Sequence, residues 1–106
     1  MTFEIVFTPE ASSQLASERA WWVENRPVAP ALFDRELEQA LEQLGTMATV
    51  LPVFLCRRGR EIRRRLLPKT RCHVYYEVSE SLGRVVILSV WGARRGRLPP
   101  FPKGTR

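Results

Sequence analysis

The sequence predicts a single α+β domain in which an N-terminal strand and a helical hairpin precede three antiparallel strands, with the helices on one face of a small sheet. Helical spacing of apolar residues dominates the first 45 residues, whereas the region from residue 61 to residue 91 contains three short strand-like runs. With 106 residues, of which 44% are hydrophobic, the chain can bury one core. These observations predict one domain over residues 1–98, followed by an irregular, proline-rich tail over residues 99–106.

The first elements are a short strand and a helix. Residues 3–7 alternate, with Phe3, Ile5 and Phe7 on one face, which is typical of a strand. Thr8 then offers a hydroxyl as N-cap, and Pro9 occupies the first helical position, where its missing N–H is harmless. We expect this helix to end near residue 25, before Pro27. Its buried side is predicted to include Ala11, Leu15 and Trp22, with Trp21 or Val23 beside them.

A second helix is predicted after Pro30. Its apolar residues recur at helical spacing, and Gly45 is placed to end it in a left-handed conformation. We expect a loop around Pro52 and Gly59 to follow. The residues that define the apolar stripe are Leu32 or Phe33, Leu37, Ala40, Leu41 and Leu44.

Three strands are predicted after this loop, at residues 61–67, 72–78 and 85–91. In the first, Ile62, Arg64 and Leu66 share one face, and Arg63, Arg65 and Leu67 share the other. In the second, the alternation places His73, Tyr75 and Glu77 opposite Cys72, Val74, Tyr76 and Val78. The third, VVILSVW, has no polar alternation, which indicates a central strand covered on both faces.

Charge is divided unevenly along the chain. Residues 1–44 contain eight acidic residues and three arginines, whereas residues 45–106 contain fourteen Lys or Arg and three Glu, within an overall net charge of +6. Cations concentrated on one structural unit attract phosphate or an acidic protein. We expect the sheet face opposite the helices to be open and to carry these arginines, although a basic strand surface is often only a solvated face.

Other classes of protein are disfavoured by the composition. No apolar run reaches the roughly 20 residues that a membrane span needs, and the N-terminus does not resemble a secretory signal, so we expect a cytoplasmic protein with no membrane partner. Cys56 and Cys72 are too few and too widely spaced for a zinc site or a redox motif, and we interpret them as packing residues. We expect no metal and no cofactor.

The order of elements, the strand IRRRLLP, the strand TRCHVYYEV and the closing VVILSVWGARRG resemble the RelE/ParE superfamily of bacterial toxins. The resemblance covers nearly the whole chain, including AWWVENRPVAPALFDREL, and lies nearest to the ParE-like plasmid-stabilisation branch. It implies the toxin of a type II toxin-antitoxin system, a growth inhibitor neutralised in a hetero-oligomer by a cognate acidic antitoxin that covers its basic groove.

The resemblance leaves two activities open. RelE-like members cut mRNA on the ribosome, whereas ParE-like members inhibit DNA gyrase without being nucleases. The RelE type uses basic residues on the second and third strands, an arginine after the last strand and a C-terminal tyrosine. Arg63 or Arg65, Arg71 or His73, and Arg94 or Arg95 match the first three roles. After Trp91, however, the chain has no tyrosine, histidine or glutamate, so the proton donor is missing.

Three hypotheses follow. The favoured one is a ParE-like protein that inhibits gyrase or another topoisomerase by binding to it, without being an enzyme itself. The second is a metal-independent, ribosome-dependent mRNA endonuclease that uses Arg71, His73 and Arg95 as catalytic residues, His73 replacing the missing donor. The third is a non-catalytic module that binds nucleic acid or protein. For binding a target or an antitoxin, the candidate residues are Arg63, Arg65, Arg71, Tyr75, Arg94, Arg95 and Arg97.

Overall fold

The computed structural model describes residues 2–101 and contains five strands, two α-helices and one short 3₁₀ helix. The two helices follow the first strand and precede the other strands, as the periodicity predicts, but four strands follow them where three were predicted. The 3₁₀ helix, Ala93–Arg95, follows the last strand directly. In chain order the longer elements are β1 (Glu4–Phe7), α1 (Pro9–Asn25), α2 (Leu32–Met47), β2 (Val53–Arg57), β3 (Arg60–Leu67), β4 (Cys72–Ser79) and β5 (Arg84–Gly92).

All five strands form one sheet in the order β1-β5-β4-β3-β2. β5 lies inside the sheet, as its apolar sequence predicts, and it pairs with β1 in parallel and with β4 in antiparallel register. The pairs β4–β3 and β3–β2 are also antiparallel. The register places Cys72 opposite Gly92, so the β3–β4 turn lies beside the end of β5.

The helical hairpin covers one face of this sheet. The Thr8 hydroxyl accepts a hydrogen bond from the Ala11 N–H at 3.0 Å, which caps α1 as predicted. Tyr76 donates from its hydroxyl to the Ala48 carbonyl at 2.8 Å and so ties β4 to the end of α2. The buried core between helices and sheet includes Phe33, Leu37, Leu44, Leu67, Val74, Tyr76, Val85, Ile87 and Val90.

The opposite face of the sheet carries a smaller aromatic cluster. Phe101, from the tail, lies over Tyr75 with 5.2 Å between ring centroids and is 7% exposed. This face was predicted to be open, and that prediction is wrong at its centre, because apolar strand residues and the tail bury each other there. The rest of the predicted tail, residues 102–106, lies outside the described residues. The buried members of the cluster are Ile62, Tyr75, Leu88, Trp91 and Phe101.

Two local predictions are corrected. The loop expected between Pro52 and Gly59 contains the edge strand β2, which a tight turn at Arg58 and Gly59, with φ of 53° and 77°, joins to β3. α2 does not end at Gly45 but continues to Met47. Gly45 is buried, and its carbonyl accepts a hydrogen bond from the Phe3 N–H at 2.7 Å, so contact with the first strand overrides the local stop signal.

Other sequence expectations concern membranes, metals and cysteines. Within residues 2–101, neither helix combines the length and the apolar character that crossing a bilayer requires. The same residues contain no group of three His, Cys, Asp or Glu side chains placed to hold a metal ion. Cys72 is buried, as a packing residue should be, whereas Cys56 is exposed, so the packing interpretation holds for only one of the two.

Candidate functional site

A buried carboxylate on α1 organises the end of the last strand. Glu18 is 2% exposed and accepts hydrogen bonds from Arg94 Nη2 at 3.2 Å and from Arg95 Nε at 2.8 Å. Its Oε2 also accepts from the Gly92 N–H at 3.3 Å. A carboxylate removed from water needs such partners, because an unpaired buried charge costs several kcal/mol. Glu18 therefore fixes the 3₁₀ helix against α1.

The same helix also supplies the hydrogen-bond partner that β5 lacks along its second half. β1 pairs with β5 only as far as Ile87, and beyond that point Gln14 Oε1 accepts from the Val90 N–H at 3.0 Å and from the Ser89 hydroxyl at 2.6 Å. Glu18, one helical turn after Gln14, likewise accepts a hydrogen bond from a β5 backbone N–H, that of Gly92. A Cβ on Gly92 would lie 2.8 Å from Glu18 Oε1, so only glycine lets the carboxylate approach this closely.

Arg94, Arg95 and Arg97, here called the C-terminal arginine cluster, follow β5. The Arg94 guanidinium lies 4.4 Å from the centroid of Trp21, and that of Arg95 lies 4.2 Å from the centroid of Trp91. The side chains of Arg94 and Arg95 stay 36% and 23% exposed. Ion pairing and cation–π stacking thus orient two guanidinium groups while leaving part of each in solvent.

Arg97 completes the cluster on its outer side. It is exposed, and its guanidinium lies 5.4 Å from the Trp91 centroid. The Arg97 carbonyl accepts a hydrogen bond from Trp91 Nε1 at 2.8 Å, so the backbone at this point is fixed against the sheet. Trp91 itself is 6% exposed and belongs to the core, as interpreted from the sequence.

Arg71 lies close to the cluster, across the end of the sheet. It occupies the β3–β4 turn with a positive φ of 62°, and its carbonyl accepts a hydrogen bond from the Ala93 N–H at 2.8 Å. Its side chain is exposed. The turn is held by Glu36 of α2, which accepts hydrogen bonds from the backbone N–H groups of Lys69 and Thr70 and from the Thr70 hydroxyl.

The two β3 arginines predicted to bind a partner lie elsewhere, on the side of the sheet that the helices cover. Arg63 donates to the carbonyls of Thr49 and Leu51 in the connection after α2. Arg65 donates from Nε to Gln43 Oε1 at 2.7 Å, on α2 itself. The alternation along β3 was predicted correctly. The prediction that these two arginines lie on the face opposite the helices is wrong. Both guanidinium groups therefore bind the protein's own chain.

His73 and Tyr75 lie on the other face. Tyr75 is 2% exposed and packs against Phe54, His73 and Phe101, so it contributes to the aromatic cluster rather than to an open surface. The pKa of His73 is lowered from its ordinary value, first by burial and then by the charges of Arg64 and Arg71. Its imidazole is therefore neutral near pH 7 and poorly suited to donate a proton.

Of the predicted site residues, the structure brings together Arg71 and the C-terminal arginine cluster. Arg63 and Arg65 instead bind residues on and just after α2, and Tyr75 is buried in the aromatic cluster. Sequence reasoning missed Glu18, which decides where Arg94 and Arg95 point. A signal for it existed, because Glu18 falls at helical spacing on the same stripe as Leu15 and Trp22. An acid on an apolar stripe indicates a buried ion pair.

The fold agrees with comparisons to known proteins. The family model described as ParE toxin of type II toxin-antitoxin system, parDE, matches residues 5–96. The chain belongs to the ParE toxin family. Among solved structures, the chromosomal ParDE TA system from P. aeruginosa is similar with a TM-score of 0.69 and 14% identity, over 86% of this chain and 96% of the other. No curated protein matches significantly.

Family membership confirms the resemblance drawn from IRRRLLP, TRCHVYYEV and VVILSVWGARRG. The ParE toxin match includes Glu18, Arg94 and Arg95 and ends at Gly96, so these paired residues lie within the family domain. The structural similarity extends over almost the whole of the relative, which shows a shared fold. The chain is therefore a ParE-type toxin of a type II toxin-antitoxin system.

Proposed function

We propose that this ParE-type toxin acts in the cytoplasm by binding and inhibiting a DNA topoisomerase of the gyrase type, and that a cognate acidic antitoxin neutralises it in a hetero-oligomeric complex. The ParE family match over residues 5–96 carries this proposal. The chain's contribution is a binding surface formed by the C-terminal arginine cluster.

The geometry of the cluster supports binding. Arg94 and Arg95 are held by Glu18 and by indole rings, so little conformational entropy remains to be lost when a partner contacts them. Their guanidinium forks pair with carboxylates in bidentate geometry, which suits an acidic protein segment. Arg97 adds an exposed cation beside them. An acidic antitoxin segment would compete for the same guanidinium groups as the target.

The contacts of these arginines favour binding over RNA cleavage. RNA cleavage through the 2′-OH requires a base and an acid within hydrogen-bond reach of the reacting oxygens. In residues 2–101, the ion pairs and cation–π contacts of Arg94, Arg95 and Arg97 involve Glu18, Trp21 and Trp91, and the carboxylate is already paired. Neither indole ring is a proton donor for a leaving alkoxide.

A supercoiling assay beside an in vitro translation assay tests the proposal. Purified full-length chain should inhibit gyrase-driven supercoiling of relaxed plasmid and leave translation unchanged. Addition of the acidic protein encoded by the neighbouring reading frame should restore supercoiling. Inhibited translation with mRNA cleavage and normal supercoiling would contradict the proposal and favour the endonuclease hypothesis. Normal growth on induction without antitoxin would contradict both.

A further inference from the structure

A pocket of about 390 Å³ lies between the C-terminal half of α1, the β3–β4 turn and the start of the 3₁₀ helix. Its size falls within the range of small-molecule sites, which is roughly 300–1,000 Å³. Two indole rings and four cationic side chains line it. The residues that matter here are Trp21, Trp22, Arg26, Lys69, Arg71 and Arg94.

Most of the positive charge around this pocket is not neutralised. The acid that lines it, Glu18, is already paired with Arg94 and Arg95. Glu36 lies behind the turn, but its oxygens are occupied by the turn's own backbone and hydroxyl donors. Within residues 2–101, the side chains of Arg26, Lys69 and Arg71 form no ion pair. Three unpaired cations therefore surround one cavity.

The backbone at Arg71 is unusual for an arginine. Its φ of 62° is in the left-handed region, which costs a residue with a Cβ about 1 kcal/mol relative to glycine. The Arg71 N–H donates to the Leu67 carbonyl at 2.8 Å, so the turn enforces this conformation. Glycine would fit here without strain, and residues kept in such conformations cluster at ligand sites. The turn thus places the exposed Arg71 side chain at the pocket, although its backbone conformation is unfavourable for a residue with a Cβ.

The aromatic side of the pocket carries two indole rings that are tilted by 48° to each other. The Arg94 guanidinium is stacked on Trp21, and Trp22 lies next to it with 6.3 Å between the indole centroids. Trp22 Nε1 donates to the Ala29 carbonyl at 2.7 Å, so this ring is held in place. Indole and guanidinium planes are the surfaces on which nucleobases stack in proteins.

We propose that this pocket binds a nucleoside phosphate, with the phosphate on Arg26, Lys69 and Arg71 and the base against the Trp21–Arg94 stack. A phosphate monoester, with close to two negative charges and three acceptor oxygens, matches three unpaired cations better than a carboxylate does. The ligand is a free nucleotide or the phosphorylated end of a nucleic-acid strand, since both present the same chemistry. This binding goes beyond the proposed inhibition of a topoisomerase, although the pocket shares Arg94 with the C-terminal arginine cluster.

Calorimetric titration of the full-length chain tests the proposal, with AMP, adenosine and inorganic phosphate as probes. AMP should bind at least about tenfold more tightly than adenosine or phosphate alone, because only AMP engages both the cations and the stack. The indole N–H resonance of Trp21 should shift on addition of AMP. Equal affinity for AMP and for phosphate, or no binding of AMP, would overturn the proposal.

Arg71→Gly is the informative variant, because it removes the guanidinium and relieves the backbone. It should keep or raise the free energy of unfolding and weaken AMP binding about tenfold. Arg58→Gly is the matched control: it removes the same charge at a positive φ of 53°, in the β2–β3 turn at the other end of β3, and should bind AMP as the parent chain does. Equal AMP affinity in the two variants would overturn the proposal.

A 5′-phosphorylated trinucleotide distinguishes the two sources of the ligand. Affinity equal to that of AMP assigns the pocket to a free nucleotide. Tighter binding with a steeper salt dependence assigns it to a strand end, because each further phosphate contact releases counterions. Binding of neither probe would refute the site. Supercoiling inhibition should stay at the parent level in Lys69→Ala, which removes a pocket cation outside the C-terminal arginine cluster, so each proposal can fail alone.

Discussion

The arginines of β3 and those of the C-terminal arginine cluster look alike in the sequence but serve different purposes in the fold. Arg63 and Arg65 donate to acceptors on or just after α2, and these contacts attach the helical hairpin to the sheet. Arg94 and Arg95 share one buried carboxylate and keep part of their surface in solvent.

A basic run in a strand is therefore not by itself a binding surface. What decides its use is the kind of acceptor that the fold places beside it. Arg63 and Arg65 donate to backbone carbonyls and to the Gln43 amide, and these acceptors hold both guanidinium groups against α2 and the connection after it. A single carboxylate shared by two guanidinium groups leaves donors of both unused, since each guanidinium has five N–H groups.

The largest expected effect comes from removing the shared carboxylate. Glu18→Ala leaves two partly buried guanidinium groups and the Gly92 N–H without their acceptor. We expect the free energy of unfolding to fall by about 3–5 kcal/mol, measured by urea denaturation. Asp34→Ala is the control, because the Arg19–Asp34 pair is about half exposed and should contribute about 0–1 kcal/mol. Similar losses in the two variants would show that Glu18 is not a buried anchor.

A smaller loss is expected from the β3 arginine that binds the connection after α2. Arg63→Ala leaves the carbonyls of Thr49 and Leu51 without this donor, and we expect a loss of about 2 kcal/mol in the free energy of unfolding. Supercoiling inhibition, corrected for the folded fraction, should not change. A variant of full stability that fails to inhibit would reverse the comparison and make Arg63 a contact residue.

Much of the fold was predictable because its signals are local. Thr8 and Pro9 mark the start of α1, and the apolar run of β5 marks a strand inside the sheet. β2 was missed because it is a short edge strand between Pro52 and Gly59, residues that usually indicate a loop. Pro52 and Gly59 correctly indicate the two ends of the strand. The strand itself forms because its residues pair with β3, and local sequence signals do not show this pairing.

The site was less predictable because its partners are far apart in the sequence. Glu18 and Arg95 are separated by 77 residues, and no periodicity connects them. The alternation of β3 correctly assigned Arg63 and Arg65 to one face, but which face receives the helices depends on packing against α2. Tyr75 was expected to be accessible, and only the position of Phe101 shows that it is buried.

The smallest expected effect is a pH dependence of stability that comes from His73, which lies near Arg64 and Arg71. The pKa of His73 is below its ordinary value in the folded state, so the unfolded chain binds more protons as the pH falls below about 6.5. Stability should therefore decrease on acidification from pH 7 towards pH 5. Urea midpoints of His73→Gln should show a weaker dependence than those of the parent chain. An identical slope would mean that burial and the charges of Arg64 and Arg71 do not act on His73.

The central claim is that the C-terminal arginine cluster contacts the target, whereas the β3 arginines hold the fold together. Gyrase supercoiling with Arg97→Ala and Arg63→Ala, each corrected for its folded fraction, tests it most directly. Arg97 is exposed, so its removal should barely change stability but should raise the concentration for half-inhibition about tenfold. Arg63→Ala should inhibit like the parent chain. Full inhibition by Arg97→Ala together with lost inhibition by folded Arg63→Ala would contradict the account.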